Sequence, residues 1–413
     1  MRFKKAELVC TGSELLSAKV NSYVPLFSAK LAALGFKLSG ERTVGDSRGG
    51  AAGAMRSALR EADLVLVCGG LGPTFDDVTR QAAAQVLDRK LRYSKYAAQI
   101  LRADYGLKKL PPNFRNQCLI LDGAKMVENA NGTAFGQILT AGRKMLVLLP
   151  GPLREWPPMF DSFVSDAVRE FFGTGEGTVG SRRLKIAGLW EVQTANLLRP
   201  VMRRFRNADY TVLAGPYTAE FAFTVKGRGP KETAAALSAV EKACRRKLKD
   251  HIYGTGDETL EEAVGEILKA KGATVSVAES CTGGALASAL TDVPGSSEYF
   301  LGGVTAYANE AKRRLLGVRA GTILKHGAVS GECAAEMAEA ARRLFRTDYA
   351  AAVTGIAGPG GGTAEKPVGL VHFAVAAAGR KTVRFSRNFR HNRVFIKRCA
   401  VNAALDALRK IIQ

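Results

Sequence analysis

The stretch ADLVLVCGGLGPTFDDVTRQAAAQVLDR, residues 62–89, decides the fold class of the first third of the chain. It begins with an apolar run typical of a buried strand, turns at three glycines, and continues with the spacing of an amphipathic helix. Similar strand-like and helix-like pieces precede it, KAELVCTG at 5–12 and YVPLFSAKLAALGF at 23–36. Strands that alternate with helices predict a mainly parallel sheet covered on both faces, which is a three-layer α/β domain.

The length and the cysteines limit the class of protein. A chain of 413 residues is too long for one ordinary core, so two or three domains are expected. Its 7 cysteines are scattered and contain no C-x-x-C pair, which favours a reducing compartment over a zinc site or a disulfide framework. We find no secretory signal and no apolar run near the roughly 20 residues of a membrane helix. The sequence therefore predicts a cytoplasmic protein with no membrane partner.

The charge has two interpretations. The chain carries 60 Lys and Arg against 38 Asp and Glu, a formal net charge of +22. A basic protein attracts nucleic acid or small phosphorylated molecules. The same composition is also compatible with a solvated surface that has no anionic partner.

Composition shifts along the chain predict three domains. The first, 1–172, is the three-layer α/β domain, and it ends near the glycine-rich segment FFGTGEGTVGS at 171–181. The second domain, 173–254, is predicted to be a small α+β module. The third, 255–413, returns to alternating strands and helices. Its first helix is predicted to start with a capping box between Thr259 and Glu262 and to end at Gly272.

The segment GGLGPTFDD, residues 69–77, follows a predicted strand and leads into a helix. Open α/β sheets bind ligands at such junctions, where glycines let the backbone approach a phosphate. Asp76 and Asp77 could hold a divalent cation that bridges a diphosphate. On spacing alone an equal alternative is that Asp76 only caps the helix while the glycines only turn the chain.

A second candidate site is AESCTGG, residues 278–284, after the apolar segment ATVSV. Amide hydrolysis needs a nucleophile, a base and donors for the oxyanion. None of the 4 histidines lies clearly within a motif, so a lysine base is favoured, and Lys312 ends the segment YANEAK, with Tyr307 five residues before it. This favours Ser280 over Cys281, which we assign to packing. Thr282 would stand at the start of the next helix as a cap or phosphate contact, and a purely structural role for SCTGG remains open.

The N-terminal segments GSELL (12–16), GGLGPTFDDVT (69–79), NGTAFG (131–136) and LPGP (149–152) resemble the molybdopterin-binding-like domain of the CinA (competence/damage-inducible) family. The resemblance implies hydrolysis of ADP-ribose to AMP and ribose 5-phosphate with a divalent metal (Mg²⁺, Mn²⁺ or Co²⁺), with K⁺ as a further candidate ion. It assigns the metal to Asp76, Asp77 and Glu14. The implied substrate contacts are Gly69, Gly70, Gly72, Thr74 and Asn131.

Four C-terminal segments resemble the nicotinamide mononucleotide deamidase domain of the same family: AESCTGG, DVPGSSEYFLGGVTAYANEAK (292–312), GAVS (327–330) and VTGIAGPGGGTAEKPVG (353–369). The resemblance implies a cofactor-free enzyme that makes nicotinate mononucleotide and ammonia, with a KH-like middle domain and a homodimeric assembly. Its implied catalytic residues are Ser280, Lys312, Tyr307 and Thr354. Its implied substrate contacts are Thr282, Gly283, Gly284, Asn309, Gly355, Gly358, Gly360 and Arg393.

Two alternatives to this pair of activities stay open. The chain could be a nucleic-acid-associated competence or DNA-damage binding protein with degenerate catalytic sites. The middle module argues against a nucleic-acid partner because its nearest approach to a basic GXXG loop is KGRGP at 226–230. The other alternative is that the N-terminal domain has lost activity and serves as a scaffold, since Ala18 and Phe135 depart from the family pattern.

Overall fold

A computed structural model describes residues 4–18, 20–173 and 178–413 of the chain. They form mixed α/β structure, as predicted, in two compact units: Met1–Gly180 with Val225–Leu237, and Ser181–Thr224 with Ser238–Gln413. The division into three domains stays a prediction, and residues 174–177 of its first boundary segment lie outside the described residues. None of the described helices is both long and apolar enough to cross a membrane.

The first unit contains a six-stranded sheet in the order β2-β1-β3-β8-β7-β6 and a short β4-β5 ladder. Four neighbouring strands, β2, β1, β3 and β8, are parallel, and β7 and β6 continue the sheet antiparallel. The strands are β1 Lys4–Thr11, β2 Phe36–Val44, β3 Leu64–Cys68, β4 Leu91–Tyr93, β5 Leu119–Leu121, β6 Lys125–Val127, β7 Gly136–Ala141 and β8 Lys144–Leu149. The helices are α1 Glu14–Ser17, α2 Tyr23–Ala33, α3 Arg48–Glu61, α4 Thr79–Leu87, α5 Lys95–Asp104, α6 Trp156–Met159 and α7 Ser165–Phe172.

The predicted three layers follow from the alternation of side chains along β3. Leu64 and Leu66 point into a core that contains Phe27 and Trp156, whose rings stack with centroids 3.7 Å apart. Val65 and Val67 point to the other face, into a second core beneath α3 and α4. Because both faces of the strand are apolar, helices must cover both sides, and the segment after Cys68 emerges at the carboxyl edge of the sheet.

The chain from Thr178 onward contains two sheets, a four-stranded one in the order β10-β11-β9-β12 and a five-stranded one in the order β14-β13-β15-β16-β17. The strands are β9 Thr178–Ala187, β10 Ala208–Ala214, β11 Thr218–Gly227, β12 Ile252–Thr255, β13 Val275–Glu279, β14 Phe300–Thr305, β15 Tyr349–Gly355, β16 Leu370–Ala377 and β17 Val383–Asn388. The helices are α8 Glu191–Arg204, α9 Pro230–Leu248, α10 Leu260–Lys271, α11 Ala285–Thr291, α12 Asn309–Leu316, α13 Ala320–His326, α14 Gly331–Phe345 and α15 Arg393–Ile412.

Local signals at the start of the C-terminal part are confirmed. Thr259 and Glu262 form the capping box of α10, and Gly272 ends that helix in the left-handed conformation with φ 58°. Strand β13 runs parallel to both of its neighbours. Its residues Val275 and Val277 pack in the core with α10 and α15, whereas Ala278 packs with α14 on the opposite face. The strand therefore delivers the SCTGG turn to the carboxyl edge of the sheet.

Candidate active site

Ser280 and Lys312, the predicted nucleophile and base, lie in direct contact. Ser280 directly follows β13, and Lys312 lies on α12. The Lys312 Nζ is 2.9 Å from the Ser280 Oγ. Both side chains are buried, with 7 % and 2 % of their surfaces exposed. A lysine beside a serine hydroxyl, shielded from water, is the arrangement that a serine–lysine hydrolase requires.

The surroundings of Lys312 orient its amine. The Nζ also donates to the carbonyls of Ala306 at 2.9 Å and Tyr307 at 3.0 Å. When the amine is neutral, two N–H groups directed at these carbonyls leave its lone pair for the Ser280 hydroxyl. Burial lowers the pKa of Lys312 below its ordinary value. Burial therefore shifts Lys312 toward the neutral amine, which is the form that can accept a proton.

Glu279 holds the turn that presents Ser280, and sequence reasoning missed it. Its carboxylate is fully buried and accepts hydrogen bonds from the amides of Gly284, Leu286 and Ala287 at 2.8–3.1 Å. Of the two roles predicted for Thr282, the helix cap is wrong, because α11 starts after Gly284 and Glu279 accepts the free amides at its start. The phosphate contact stays a prediction. No sequence signal identifies the role of Glu279, because its partners are backbone amides, which every residue type except proline provides.

Two further members of the turn have distinct environments. Cys281 is buried, and burial raises the pKa of its thiol to about 12. Such a thiol stays protonated near neutral pH, which fits the packing role assigned to it. Thr282 is completely buried, and its hydroxyl has no hydrogen-bond partner among the described residues. A buried hydroxyl without a partner is uncommon and is a candidate ligand contact.

Thr354 lies beside Ser280 on the neighbouring strand end. The Ser280 amide donates to the Val353 carbonyl at 2.9 Å, which brings the ends of β13 and β15 together. The Thr354 hydroxyl is buried and donates to the Ala328 carbonyl at 2.9 Å, so the segments GAVS and VTG are in contact. Packing also requires glycine at position 355, because a Cβ there would lie 2.7 Å from the Leu370 carbonyl oxygen.

Arg393 joins two other predicted residues. Its guanidinium donates to the Gly358 carbonyl at 2.8 Å and to the Tyr307 hydroxyl at 3.0 Å. The Tyr307 ring is 60 % exposed, so its hydroxyl lies with Arg393 and not at the Ser280–Lys312 pair. Asn309 is exposed at the first residue of α12, and Gly360 stands in open space.

The first unit has a second candidate site, a cavity of about 360 Å³ at the carboxyl edge of its sheet. Seven predicted residues line it: Gly69, Gly70, Gly72, Thr74, Asp76, Asp77 and Glu14. Gly69 and Gly70 have positive φ angles of 108° and 62°, and side chains there would collide with Thr11 and Thr79. Asn131 does not line the cavity, and its amide donates to the Arg154 carbonyl at 2.8 Å. Sequence reasoning missed other polar residues of the lining, among them Gln117, Thr133 and Glu155 from later elements.

Asp76 and Asp77 differ in the hydrogen bonds that their carboxylates accept. The Asp77 carboxylate accepts from the amide of Thr74 at 2.8 Å and from its hydroxyl, so it helps to hold the glycine loop. The Asp76 Oδ1 is buried and has no hydrogen-bond partner among the described residues. In the described ranges no three His, Cys, Asp or Glu side chains lie close enough together to hold a metal ion. Mg²⁺ in substrate complexes often uses only one or two carboxylates plus phosphate oxygens and water, so Asp76 and Asp77 still fit such an ion.

Comparison with known proteins covers the whole chain. Three family models match in order: a probable molybdopterin binding domain over 7–170, the KH domain of damage-inducible protein CinA over 181–254, and the CinA C-terminal domain over 257–412. A CinA-like protein of Endomicrobium trichonymphae is 38% identical over 98% of both chains. A putative competence-damage inducible protein of Clostridium acetobutylicum is 35% identical over 99% of both. The crystal structure of the competence/damage inducible protein CihA from Agrobacterium tumefaciens is 44% identical over 37% of this chain and 94% of that chain, with a TM-score of 0.37.

Proposed function

The chain belongs to the CinA family, and from that premise we propose that its C-terminal part is an amidohydrolase that converts nicotinamide mononucleotide to nicotinate mononucleotide and ammonia. Such an enzyme would recycle pyridine nucleotides. The observation that carries the proposal is the buried contact of 2.9 Å between the Ser280 hydroxyl and the Lys312 amine. This contact supplies a nucleophile and its base in one desolvated pocket.

The first half of the reaction forms an ester on Ser280. Neutral Lys312 accepts the hydroxyl proton while the Ser280 Oγ bonds to the carboxamide carbon, and the carbonyl electron pair moves onto oxygen. In the turn, the amides of Gly283, Gly284, Leu286 and Ala287 already donate to Ser280 or Glu279. We assign oxyanion stabilisation to the amides of Cys281 and Thr282, which donate to no backbone carbonyl among the described residues.

The second half releases both products. The oxyanion reforms the carbonyl, the C–N bond breaks, and the proton held by Lys312 goes to the departing nitrogen, which leaves as ammonia. Lys312, neutral again, takes a proton from a water molecule as that water attacks the ester carbon. Cleavage of the ester returns the proton to the Ser280 Oγ and frees the carboxylic acid, which loses its remaining proton to solvent and leaves as nicotinate mononucleotide.

The experiment that tests this proposal is an ammonia-release assay. Purified protein is incubated with nicotinamide mononucleotide, with and without a chelator, and both ammonia and nicotinate mononucleotide are quantified. We expect equal amounts of the two products and no effect of the chelator, because the proposed chemistry uses only side chains of this chain. Absence of both products would refute the amidase, and loss of activity with the chelator would refute its metal independence.

A second activity is favoured by the cavity of the first unit. We propose that it hydrolyses ADP-ribose to AMP and ribose 5-phosphate in a reaction that depends on a divalent metal. Asp76 and Asp77 would hold the ion, with Glu14 in the same lining, and the ion would neutralise diphosphate charge. The glycine loop 69–72 would bring backbone amides to the diphosphate. The supporting observation is the buried, unpartnered Asp76 Oδ1, an acceptor that a cation would satisfy.

A further inference from the structure

The two ends of helix α15 treat their cations differently. Near the C-terminal end, Arg409 and Lys410 both pair with Asp406, each at 2.8 Å. In the first two turns the helix carries Arg393, Lys397 and Arg398, and among the described residues none of these three has a carboxylate within ion-pair distance. The cations without acid partners are therefore concentrated at the end of the helix near the proposed amidase site.

The direction of helix α15 makes the position of these cations electrostatically unfavourable. The N-terminus of a helix carries partial positive charge, so cations there are disfavoured and anions are favoured. No acidic residue lies in the first turn of α15, and one of its free amides is capped by the Asn392 side chain. A bound anion would offset this accumulation of positive charge, whereas the folded chain alone does not.

Among the described residues Lys397 and Arg398 keep their hydrogen-bonding capacity, and Lys397 is the one that lies beside the nucleophile turn. Arg393 already donates to the Gly358 carbonyl and to the Tyr307 hydroxyl. Lys397 is half-buried, and its ammonium has neither a hydrogen-bond acceptor nor an ion-pair partner among the described residues. It lies beside the nucleophile turn, because a Cβ built on Gly283 would be 3.6 Å from the Lys397 Nζ. The buried Thr282 hydroxyl without a partner belongs to the same turn.

A cavity of about 410 Å³ opens next to this lysine. Ala285, Val394 and Val401 form apolar walls, and Lys397 and Arg398 add positive charge. The Asn402 amide fixes one side by donating to the Pro216 carbonyl at 2.7 Å. Apolar walls with cations at one side suit a ligand that combines a flat or apolar part with an anionic group.

We propose that Lys397 binds the phosphate of the substrate and makes the amidase selective for the phosphorylated mononucleotide over the unphosphorylated nucleoside. The proposal rests on the proposed amidase function and assigns a residue that the motif resemblance did not. In this arrangement Arg393 chiefly holds the glycine loop and Tyr307 in place. The Lys397 ammonium, beside the nucleophile turn, is then the side-chain donor that we assign to the phosphate.

The test compares two substrates that differ only by the phosphate, nicotinamide mononucleotide and nicotinamide riboside. For Lys397→Met we expect kcat/KM with the mononucleotide to fall roughly 10- to 100-fold, mostly through KM, because a charge-assisted contact is lost. The value with the riboside should change by less than about twofold. Lys397→Arg should restore most of the mononucleotide activity, and Lys381→Met, at an exposed lysine before β17, is the matched loss of charge.

Each other outcome of this test has a defined meaning. An equal fall for both substrates, or no fall for either, would overturn the assignment of Lys397. If the wild-type protein hydrolyses neither substrate, the amidase proposal fails, and the phosphate site is then judged by ligand-induced stabilisation. In that case the mononucleotide should raise the melting temperature of the wild type and of Lys381→Met but not of Lys397→Met. Equal stabilisation of all three proteins, or none, would reject the site as well.

Discussion

The two candidate sites lie at equivalent positions of their sheets but are assembled to different degrees. Each follows a parallel strand, β3 in the first unit and β13 in the second. The Ser280–Lys312 pair is buried and in contact, with the base already oriented by two carbonyls. The cavity beside β3 has acidic residues in its lining, but no three of the described metal-ligand side chains form a cluster. On the proposed functions, the site beside β13 would supply its reacting groups from the chain itself, whereas the site beside β3 would use a bound ion to neutralise charge.

The largest expected effect tests the assembled site. Ser280→Ala should reduce kcat for deamidation by a factor on the order of 10⁴ or more, because only binding and oxyanion stabilisation remain. Lys312→Ala should be nearly as severe, and the double variant should be little worse than either single one, since nucleophile and base act as one unit. The measurement is kcat at saturating nicotinamide mononucleotide on protein shown by thermal melting to be folded. Multiplicative losses in the double variant would show that the two residues act independently.

The same contrast explains what the sequence could predict. The roles of Ser280 and Lys312 were predictable for two reasons. Side chains alternate between the two faces of β13, and the segment YANEAK, which resembles the family pattern, ends in a lysine. The role of Glu279 was not predictable. Its carboxylate accepts hydrogen bonds from three backbone amides, and such donors are the same for nearly every residue type. Asn131 was misplaced relative to the cavity because its loop conformation depends on Arg154, 23 residues later. Long-range loop contacts of this kind are set by tertiary packing, which local patterns do not encode.

The next prediction concerns the cavity beside β3, for which a metal-dependent activity is proposed. Asp76→Ala should lower metal-dependent hydrolysis of ADP-ribose roughly 100-fold or more, because metal-based charge stabilisation is worth several kcal/mol. A chelator should abolish the activity and excess Mg²⁺ or Mn²⁺ should restore it. The deamidase of the same preparation should be unaffected by Asp76→Ala and serves as the internal control. ADP-ribose hydrolysis that is indifferent to this substitution would place the active carboxylates elsewhere.

The pH dependence of deamidation tests the state of the lysine. Lys312 must be neutral to accept a proton, so the rate should rise about tenfold per pH unit below its pKa and level off above it. Burial lowers the pKa of Lys312 from 10.5, and the plateau should therefore begin at a pH below that value. Turnover across pH 5 to 10 with saturating substrate measures the profile. A rate that falls as pH rises through neutrality would contradict a neutral lysine base.

A smaller effect is expected at the residue that supports the turn. Glu279→Gln replaces one acceptor oxygen by a donor that faces backbone amides, so the free energy of unfolding should drop by about 2–3 kcal/mol. The value of kcat should fall roughly tenfold as Ser280 loses its fixed position. Glu262→Gln is the matched control, because Glu262 accepts only the Thr259 amide in an exposed capping box. Equal losses of stability in the two variants would remove the special role assigned to Glu279.

The smallest effect is expected at the neighbour of the nucleophile. Cys281→Ala should leave kcat within about twofold of wild type, because a thiol whose pKa is raised to about 12 contributes almost no thiolate near pH 7. Removal of the buried sulfur should lower the free energy of unfolding by about 1 kcal/mol. Cys399→Ala is the matched control, since Cys399 is buried in the same core and burial raises the pKa of its thiol to about 11. The two variants should have nearly the same activity and similar melting temperatures. If Cys281→Ala were inactive and folded while Ser280→Ala still released ammonia, the thiol would be the nucleophile, and the orientation of Lys312 toward Ser280 would have to serve another step.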